Sequence, residues 1–259
     1  MNQDLKRYDR FGWDYEHFNP LAEEEVNWHV RFARKTGGPV LGLACGTARL
    51  LMEIARDGFT VDGIDLSEGM LELATRKIEK LPTGIDALIQ LHCMDMADFQ
   101  LPRAYGLILI ADNSFRELRT ERERRSCLRC VKRHLRSDGI LLVTERRFDP
   151  DRFGVESTGD SWSESIPHPL MDAQVQRKVK AELSEDGDWI RGSMIYRIIS
   201  ADETETIEDC FFTAPVMHYN EYFSLFAEVG FSVKSYVDYQ EREEDGRSPI
   251  LCFVCEKAG

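Results

Sequence analysis

The stretch Val40-Leu-Gly-Leu-Ala-Cys-Gly-Thr-Ala-Arg49 constrains this chain more than any other, because an apolar strand-like run passes through a glycine-containing turn straight into a helical segment. A strand ending that way presents free backbone N–H groups to a ligand. The helical segment Ala48 to Arg56 leads through Asp57-Gly58 to a second strand, Thr60-Val-Asp-Gly-Ile64, closed by Asp65. This is the first βαβ half of a nucleotide-binding fold, with an acid placed to grip a ribose diol through two charge-assisted hydrogen bonds.

A dinucleotide fold calls for Gly-x-Gly-x-x-Gly, whereas the glycines here are Gly42, inside the strand, and Gly46, with Ala44 and Ala48 where others would stand. The nicotinamide reading is weak on that ground. Leu43-Ala-Cys-Gly-Thr-Ala-Arg49 followed by Gly63-Ile-Asp-Leu-Ser-Glu-Gly-Met-Leu-Glu-Leu-Ala74 instead resembles the class I S-adenosylmethionine-dependent methyltransferases in order and spacing. Their first motif typically reads acid-Leu-Gly-Cys-Gly-Thr-Gly, so Gly42 replaces the usual acid. The resemblance implies an α/β fold, a Rossmann-like, seven-stranded doubly wound sheet with an antiparallel last strand. It also implies S-adenosyl-L-methionine as cofactor, held by Ala44, Cys45 and Gly46 in the turn, by Asp65, and by Leu66 and Met70 packing on the nucleoside. On spacing alone Met70 is equally a core residue of the helix that Ser67 caps.

Ala87-Leu-Ile-Gln-Leu-His-Cys93 reads as a third strand. The Met94-Asp-Met-Ala-Asp-Phe99 that follows resembles the family's adenine segment, in which Asp95 accepts from the exocyclic amino group and the Met96 backbone completes the contact. Gly106 to Ala111 is a continuous apolar run, as a strand buried on both faces requires, and should be the central fourth strand. Ligands of open parallel sheets lie beyond the carboxyl ends of the strands, which puts Ala111 against the cofactor and Asp112-Asn-Ser-Phe115 on the site floor. That tetrapeptide resembles an Asn-Ser-Phe-x-His-Leu pattern of small-molecule methyltransferases, with Glu117 where His is frequent. Asn113 is a candidate for acceptor contact. A helix from Glu121 to Leu135, stopped by Ser137-Asp-Gly139, should precede a fifth strand, Ile140 to Thr144, with Glu145, Arg147 and Phe148 at its end. Arg147 reads equally as a pocket residue and as a surface charge.

From Asp149 the pattern changes, with Pro150, Gly154, Gly159, Pro167 and Pro169 breaking up the chain. Three alternating segments follow, Val175 to Leu183, Trp189 to Ile199 and Thr204 to Phe212, separated by turn sequences, which makes an antiparallel meander inserted after the fifth strand. Such sheets occur at this place in amino-sugar N-methyltransferases, where they roof the acceptor site or build a dimer contact. Tyr219 to Val229 is an amphipathic helix, and Phe231 to Val237 with Ile250 to Cys255 form a closing hairpin. At the other end, Tyr8-Asp-Arg-Phe-Gly-Trp-Asp-Tyr15 precedes a helix, Glu23 to Lys35, whose Val26, Val30 and Ala33 have helical spacing. In related methyltransferases this segment folds over the cofactor, which makes Tyr8 and Tyr15 candidates for substrate contact. The expected organisation is a cap segment at 1–36, a core at 37–148 and 216–259, and an inserted β subdomain at 149–215.

With 259 residues, 42% of them apolar, there is material for one large α/β domain with an insertion. No run approaches the roughly 18 to 20 apolar residues of a membrane span, and the start lacks the apolar region of a signal peptide, so a cytoplasmic protein is expected. A net charge of −13 argues against tracking a nucleic-acid backbone. The basic stretch 116–136 holds interleaved glutamates and reads as a solvated helix face. Seven cysteines point to reduced thiols, and the pairs Cys127/Cys130 and Cys252/Cys255 lie in a helix and a strand rather than in a zinc knuckle, so no metal is expected.

These readings converge on methyl transfer to a nitrogen or oxygen of a small-molecule acceptor by a monomer or homodimer. An amine needs only to be neutral when it attacks, whereas a hydroxyl needs a base, for which Glu117 and His168 are the candidates. The alternative, raised by Gly42, Ala44 and Ala48, is a non-catalytic relative that binds a ligand or a protein partner.

Overall fold

The computed structural model describes residues 8–10, 12–149, 161–168 and 170–258, with Tyr15 and Glu16 as backbone only. The breakers Pro150, Gly154, Gly159 and Pro169, and the side chain of Tyr15, lie outside the described residues. The chain forms two compact units, one of residues 14–147 and 218–259, the other of residues up to Trp13 together with 148–217.

The larger unit opens with α1 (Asp14–Phe18) and α2 (Glu23–Thr36). The βα succession then runs β1 (Val40–Leu43), α3 (Arg49–Arg56), β2 (Val61–Asp65), α4 (Glu68–Ile78), β3 (Ile89–Cys93), β4 (Tyr105–Ile110), α5 (Glu121–His134) and β5 (Leu135–Arg146). The smaller unit holds β6 (Ile166–Pro167), β7 (Ala173–Leu183), β8 (Trp189–Ser200) and β9 (Glu205–Pro215). The larger unit closes with α6 (Tyr219–Glu228), β10 (Phe231–Val237), β11 (Gln240–Glu243) and β12 (Ile250–Lys257).

Its sheet has the order β11-β10-β12-β5-β4-β1-β2-β3. β1 to β5 are parallel, whereas β12 runs antiparallel between β5 and β10. Those seven strands are the sheet expected from the sequence, and the short β11 adds an edge. The chain leaves β1 on the β2 side and returns through β4 on the other, so the direction reverses between β1 and β4. A crevice opens at the carboxyl ends of strands at such a point. Both strands are buried along their whole length, which is why they read as unbroken apolar runs.

Local chemistry sets the boundaries. The Ser67 hydroxyl accepts from Met70 N at 3.1 Å and starts α4, and Thr120 with Glu123 forms a reciprocal capping box on α5. α2 carries three glutamates in its first turn and ends at Gly37, which adopts φ +73° and donates to Ala33 O. Its buried residues are Glu25, Trp28, His29, Val30, Phe32 and Ala33, so Val30 and Ala33 are buried as the spacing predicts while Val26 is only partly so. α5 stops at His134, before the expected Ser137-Asp138-Gly139 turn. That turn is a register shift inside β5: Tyr105 pairs with Leu135, and the next pair is Leu107 with Ile140. A Cβ at Gly139 would stand 2.9 Å from the Leu135 side chain and 3.0 Å from Tyr105 O, so the glycine serves a close approach of two strands rather than a helix stop.

The smaller unit is an antiparallel sheet, β6-β7-β8-β9, as the alternating segments predict. Trp13 packs its ring on His168 at 4.4 Å and on Tyr196 at 5.4 Å, and Arg10 pairs with Glu208 at 2.9 Å, so Arg10 and Trp13 belong with this sheet. Among the described residues no helix is long and apolar enough to cross a membrane.

Candidate cofactor and active site

The turn after β1 is built from alternate left-handed residues: Ala44 at φ +50°, Gly46 at +54° and Ala48 at +57°. Backbone bonds brace it, with Cys45 N donating to Ile64 O and Ala48 N to Cys45 O, both at 2.9 Å. At the end of β2, Asp65 Oδ2 accepts from Gly46 N at 2.7 Å and Oδ1 from Ser67 N at 2.9 Å. Burial pushes this carboxyl above its ordinary value against the pull of the Ser67, Gly46 and Leu66 N–H groups, and the negative charge of Glu117 adds to the rise. The structure therefore joins Gly46 and Asp65, with the charge of Glu117 acting on Asp65. Met70 is buried beside them, its Cε 3.8 Å from where a Cβ on Gly46 would stand, while Leu66 is exposed.

Further along the carboxyl edge, Asp95 is exposed after β3, and its Oδ1 accepts from Ala97 N at 2.7 Å, closing a tight turn that buries Met96. Beyond β4, Ala111 O accepts from Ser114 N, and Asp112 and Asn113 are both left-handed, at φ +53° and +66°. Glu145, at the end of β5, holds this loop from below. It accepts from Arg116 Nε at 2.8 Å, Phe115 N at 3.1 Å and the Tyr222 hydroxyl at 3.2 Å. Burial pushes its carboxyl up to about 7, with Arg116, Tyr222 and the Phe115 N–H acting to lower it. Asn113 Oδ1 accepts from Arg116 Nη2 at 2.7 Å and Arg146 N at 2.6 Å, so its carbonyl is committed to the loop.

Other candidates are placed elsewhere. Arg147 donates to Ser248 O at 3.0 Å and pairs with Glu244, which fixes it to the segment before β12. His168 lies in the smaller unit, buried against Trp13, where its Nδ1 accepts from Leu170 N at 3.1 Å. Tyr8, half-buried, belongs to the same unit. Among the described residues no group of three His, Cys, Asp or Glu side chains could hold a metal ion.

Sequence reasoning missed one cluster at the β1/β4 crevice. Arg49, the first residue of α3, pairs with Asp112 at 2.9 Å and donates to Asn19 O. Glu25 of α2 is buried nearby and has its carboxyl pushed up to about 7 by burial and by Asp112, with Arg49 and the Tyr239 hydroxyl opposing. The missing motif acid also has a structural counterpart. Gly42 and Gly63 are register partners on β1 and β2, and Leu51 packs over both, 3.0 Å from a Cβ at Gly42 and 2.9 Å from one at Gly63.

Residues 40–139 match the model of a methyltransferase domain family. Over that segment the chain is similar to methyltransferase domains. Both motif blocks of the expected resemblance fall within it. A putative methyltransferase of Geobacillus sp. (strain WCH70) is 30% identical over 43% of this chain, and the chain spans 44% of that relative's length. A dTDP-4-amino-2,3,4,6-tetradeoxy-D-glucose N,N-dimethyltransferase of Saccharopolyspora spinosa is 26% identical over 71% of this chain and 75% of its own. Among solved structures, the S-adenosylmethionine-bound amino pentose methyltransferase of Micromonospora echinaspora superposes with a TM-score of 0.71 at 19% identity, over 95% of this chain and 96% of that one. At that identity the likeness carries the fold, and it extends beyond the matched segment to nearly the whole chain.

Proposed function

We propose that this protein is an S-adenosylmethionine-dependent methyltransferase that acts on the amino group of a small-molecule acceptor of the amino-sugar kind. The observation that carries the reading is the joining of Gly46 to Asp65 at the carboxyl ends of β1 and β2, with Met70 alongside. The residues fit the cofactor. Gly46 leaves its Cβ position open on the side of Met70, and the Asp65 carboxylate stands where a ribose diol would be held. Asp95 stands after β3 for the adenine. The amino-sugar acceptor is supported by the Saccharopolyspora relative, which aligns over most of its length.

A bound S-adenosylmethionine supplies an electrophilic sulfonium methyl, and its displacement needs a nucleophile held in line with water excluded. Asp65 orients the nucleoside and Leu66 and Met70 pack on it. The 112–117 loop, held from below by Glu145, forms a fixed floor for the acceptor. Glu117, exposed and acting electrostatically on Asp65, is the acid we assign to receive the proton an acceptor ammonium must shed.

Titration calorimetry with S-adenosylhomocysteine tests the reading. The wild-type protein should bind, and folded Asp65→Ala should bind about 10- to 100-fold more weakly, the range for hydrogen bonds to a charged group. A folded wild-type protein that binds neither S-adenosylhomocysteine nor S-adenosylmethionine would overturn it in favour of a non-catalytic relative.

A further inference from the structure

The cluster at the β1/β4 crevice has a charge pattern that its own members do not balance. Two carboxylates, Glu25 and Asp112, act on one another; Arg49 acts on Glu25 and pairs with Asp112, and Arg146 acts on Tyr239. His29, one turn after Glu25 and 6.2 Å ring to ring from Tyr239, adds no positive charge. It is fully buried, its Nδ1 faces Glu25 O at 2.8 Å, its Nε2 has no hydrogen-bond partner among the described residues, and burial pushes its imidazole down to about 4. The elevated Glu25 carboxyl is what an acid shows when it is buried beside a second acid with too little positive charge nearby. The cluster comes from four separate parts of the chain, α2, the start of α3, the loop after β4 and the residue before β11, which meet where the sheet reverses direction. One guanidinium with two carboxylates matches a ligand end that carries one carboxylate and one ammonium.

Resting on the cofactor reading above, we propose that Arg49, Asp112 and Glu25 bind the amino-acid end of the cofactor, Arg49 taking its carboxylate and the two acids its ammonium. They thereby replace an acid in β1. The position where β1 would present one, Gly42, faces Leu51, which is buried over Gly42 and Gly63 together, so an acid from that strand would meet hydrocarbon. Arg49 follows directly on the left-handed turn that carries Gly46, so the nucleoside and amino-acid ends of one ligand are served by consecutive stretches of chain. An ammonium entering between Glu25 and Asp112 relieves the repulsion between them and lets Glu25 ionise.

The test compares two ligands that share nucleoside and thioether, S-adenosylhomocysteine and 5′-methylthioadenosine, the second of which lacks the amino-acid end. Asp112→Asn and Arg49→Gln should each weaken S-adenosylhomocysteine by about 10- to 100-fold while changing the 5′-methylthioadenosine affinity less than about twofold. Asp65→Ala should weaken both ligands alike. Folding of each variant is checked by circular dichroism, and two variants are used so that one misfolded protein does not decide the outcome. Unchanged S-adenosylhomocysteine affinity, or a parallel loss of both ligands in the folded Asp112 and Arg49 variants, overturns the inference and leaves the cofactor reading intact. A wild-type protein that binds neither ligand overturns both.

Discussion

Glu145→Gln isolates the electrostatic cost of the acid beneath the 112–117 loop. Glu145 is 1% exposed, and burial moves its carboxyl from the ordinary 4.5 up to about 7 although three donors converge on it. Between those values the folded protein binds more proton than the unfolded chain, so this residue makes stability fall as pH rises from about 4.5 to 7, and the loss is complete above 7. At about 1.36 kcal/mol per pH unit the full effect is about 3 kcal/mol. Glutamine keeps the shape and removes the titration. The stability of Glu145→Gln relative to wild type should therefore rise by about 3 kcal/mol between pH 4.5 and 8, read from urea unfolding followed by circular dichroism at a series of pH values. Glu25, which shifts in the same sense, and His29, which shifts in the opposite one, are present in both proteins and cancel in the difference. A flat difference, or one that falls with pH, would refute the reasoning. It would mean that Arg116 at 2.8 Å, with the Phe115 N–H and the Tyr222 hydroxyl, outweighs desolvation and keeps the carboxylate ionised.

Two substitutions test the backbone under the cofactor turn. Ala44 is left-handed and partly exposed, so Ala44→Gly should relieve strain and raise stability by about 0.5 to 1 kcal/mol, seen as a higher melting temperature; a lower one would show that its methyl packs. Gly63→Ala should lower stability by about 1 to 3 kcal/mol, because its Cβ would stand 2.8 Å from Cys45 Sγ and 2.9 Å from Leu51 and Leu91 side-chain carbons; thermal melting within error of wild type would mean that the three neighbours yield freely.

The sheet was legible because its signals are local. A strand buried on both faces must be apolar throughout, a helix start needs a cap, and the three alternating segments after Asp149 declare an antiparallel sheet by their period of two. What misled was the double meaning of Ser137-Asp138-Gly139. The same composition that ends a helix also permits the close pass of β5 against β4, and only the partner strand distinguishes the two. The α2 stripe was read only in part for a related reason. Trp28, His29 and Glu25 are amphipathic side chains whose burial depends on what packs over them, whereas Val26 looks apolar in any setting and ends only partly buried.

The site divides along the same line. Gly46, Asp65 and Met70 could be read because one βα turn and the next strand bring them together, and the bond from Gly46 N to Asp65 needs nothing beyond that unit. Glu25, Arg49 and Tyr239 could not, because they lie far apart in sequence and each taken singly has an ordinary explanation: a first-turn acid, a helix-start cation and a hairpin aromatic; Asp112 was expected on the site floor, but its pairing with Arg49 was not. Arg147 fails in the opposite direction. Its position at the end of β5 left a pocket residue and a surface charge equally open, but the chain entering β12 offers Glu244 and the Ser248 carbonyl, and a guanidinium goes to the nearest carboxylate held in place for it. The departures at Gly42, Ala44 and Ala48 then cease to be three separate defects. Gly42 makes room for Leu51. Ala48 is fully buried, so its methyl recovers in packing much of what its left-handed backbone costs, and only Ala44 carries strain with little burial to offset it. At Gly46, left-handed at φ +54°, glycine carries the same backbone without that strain, and a Cβ there would make only ordinary contact with Met70, 3.8 Å from its Cε.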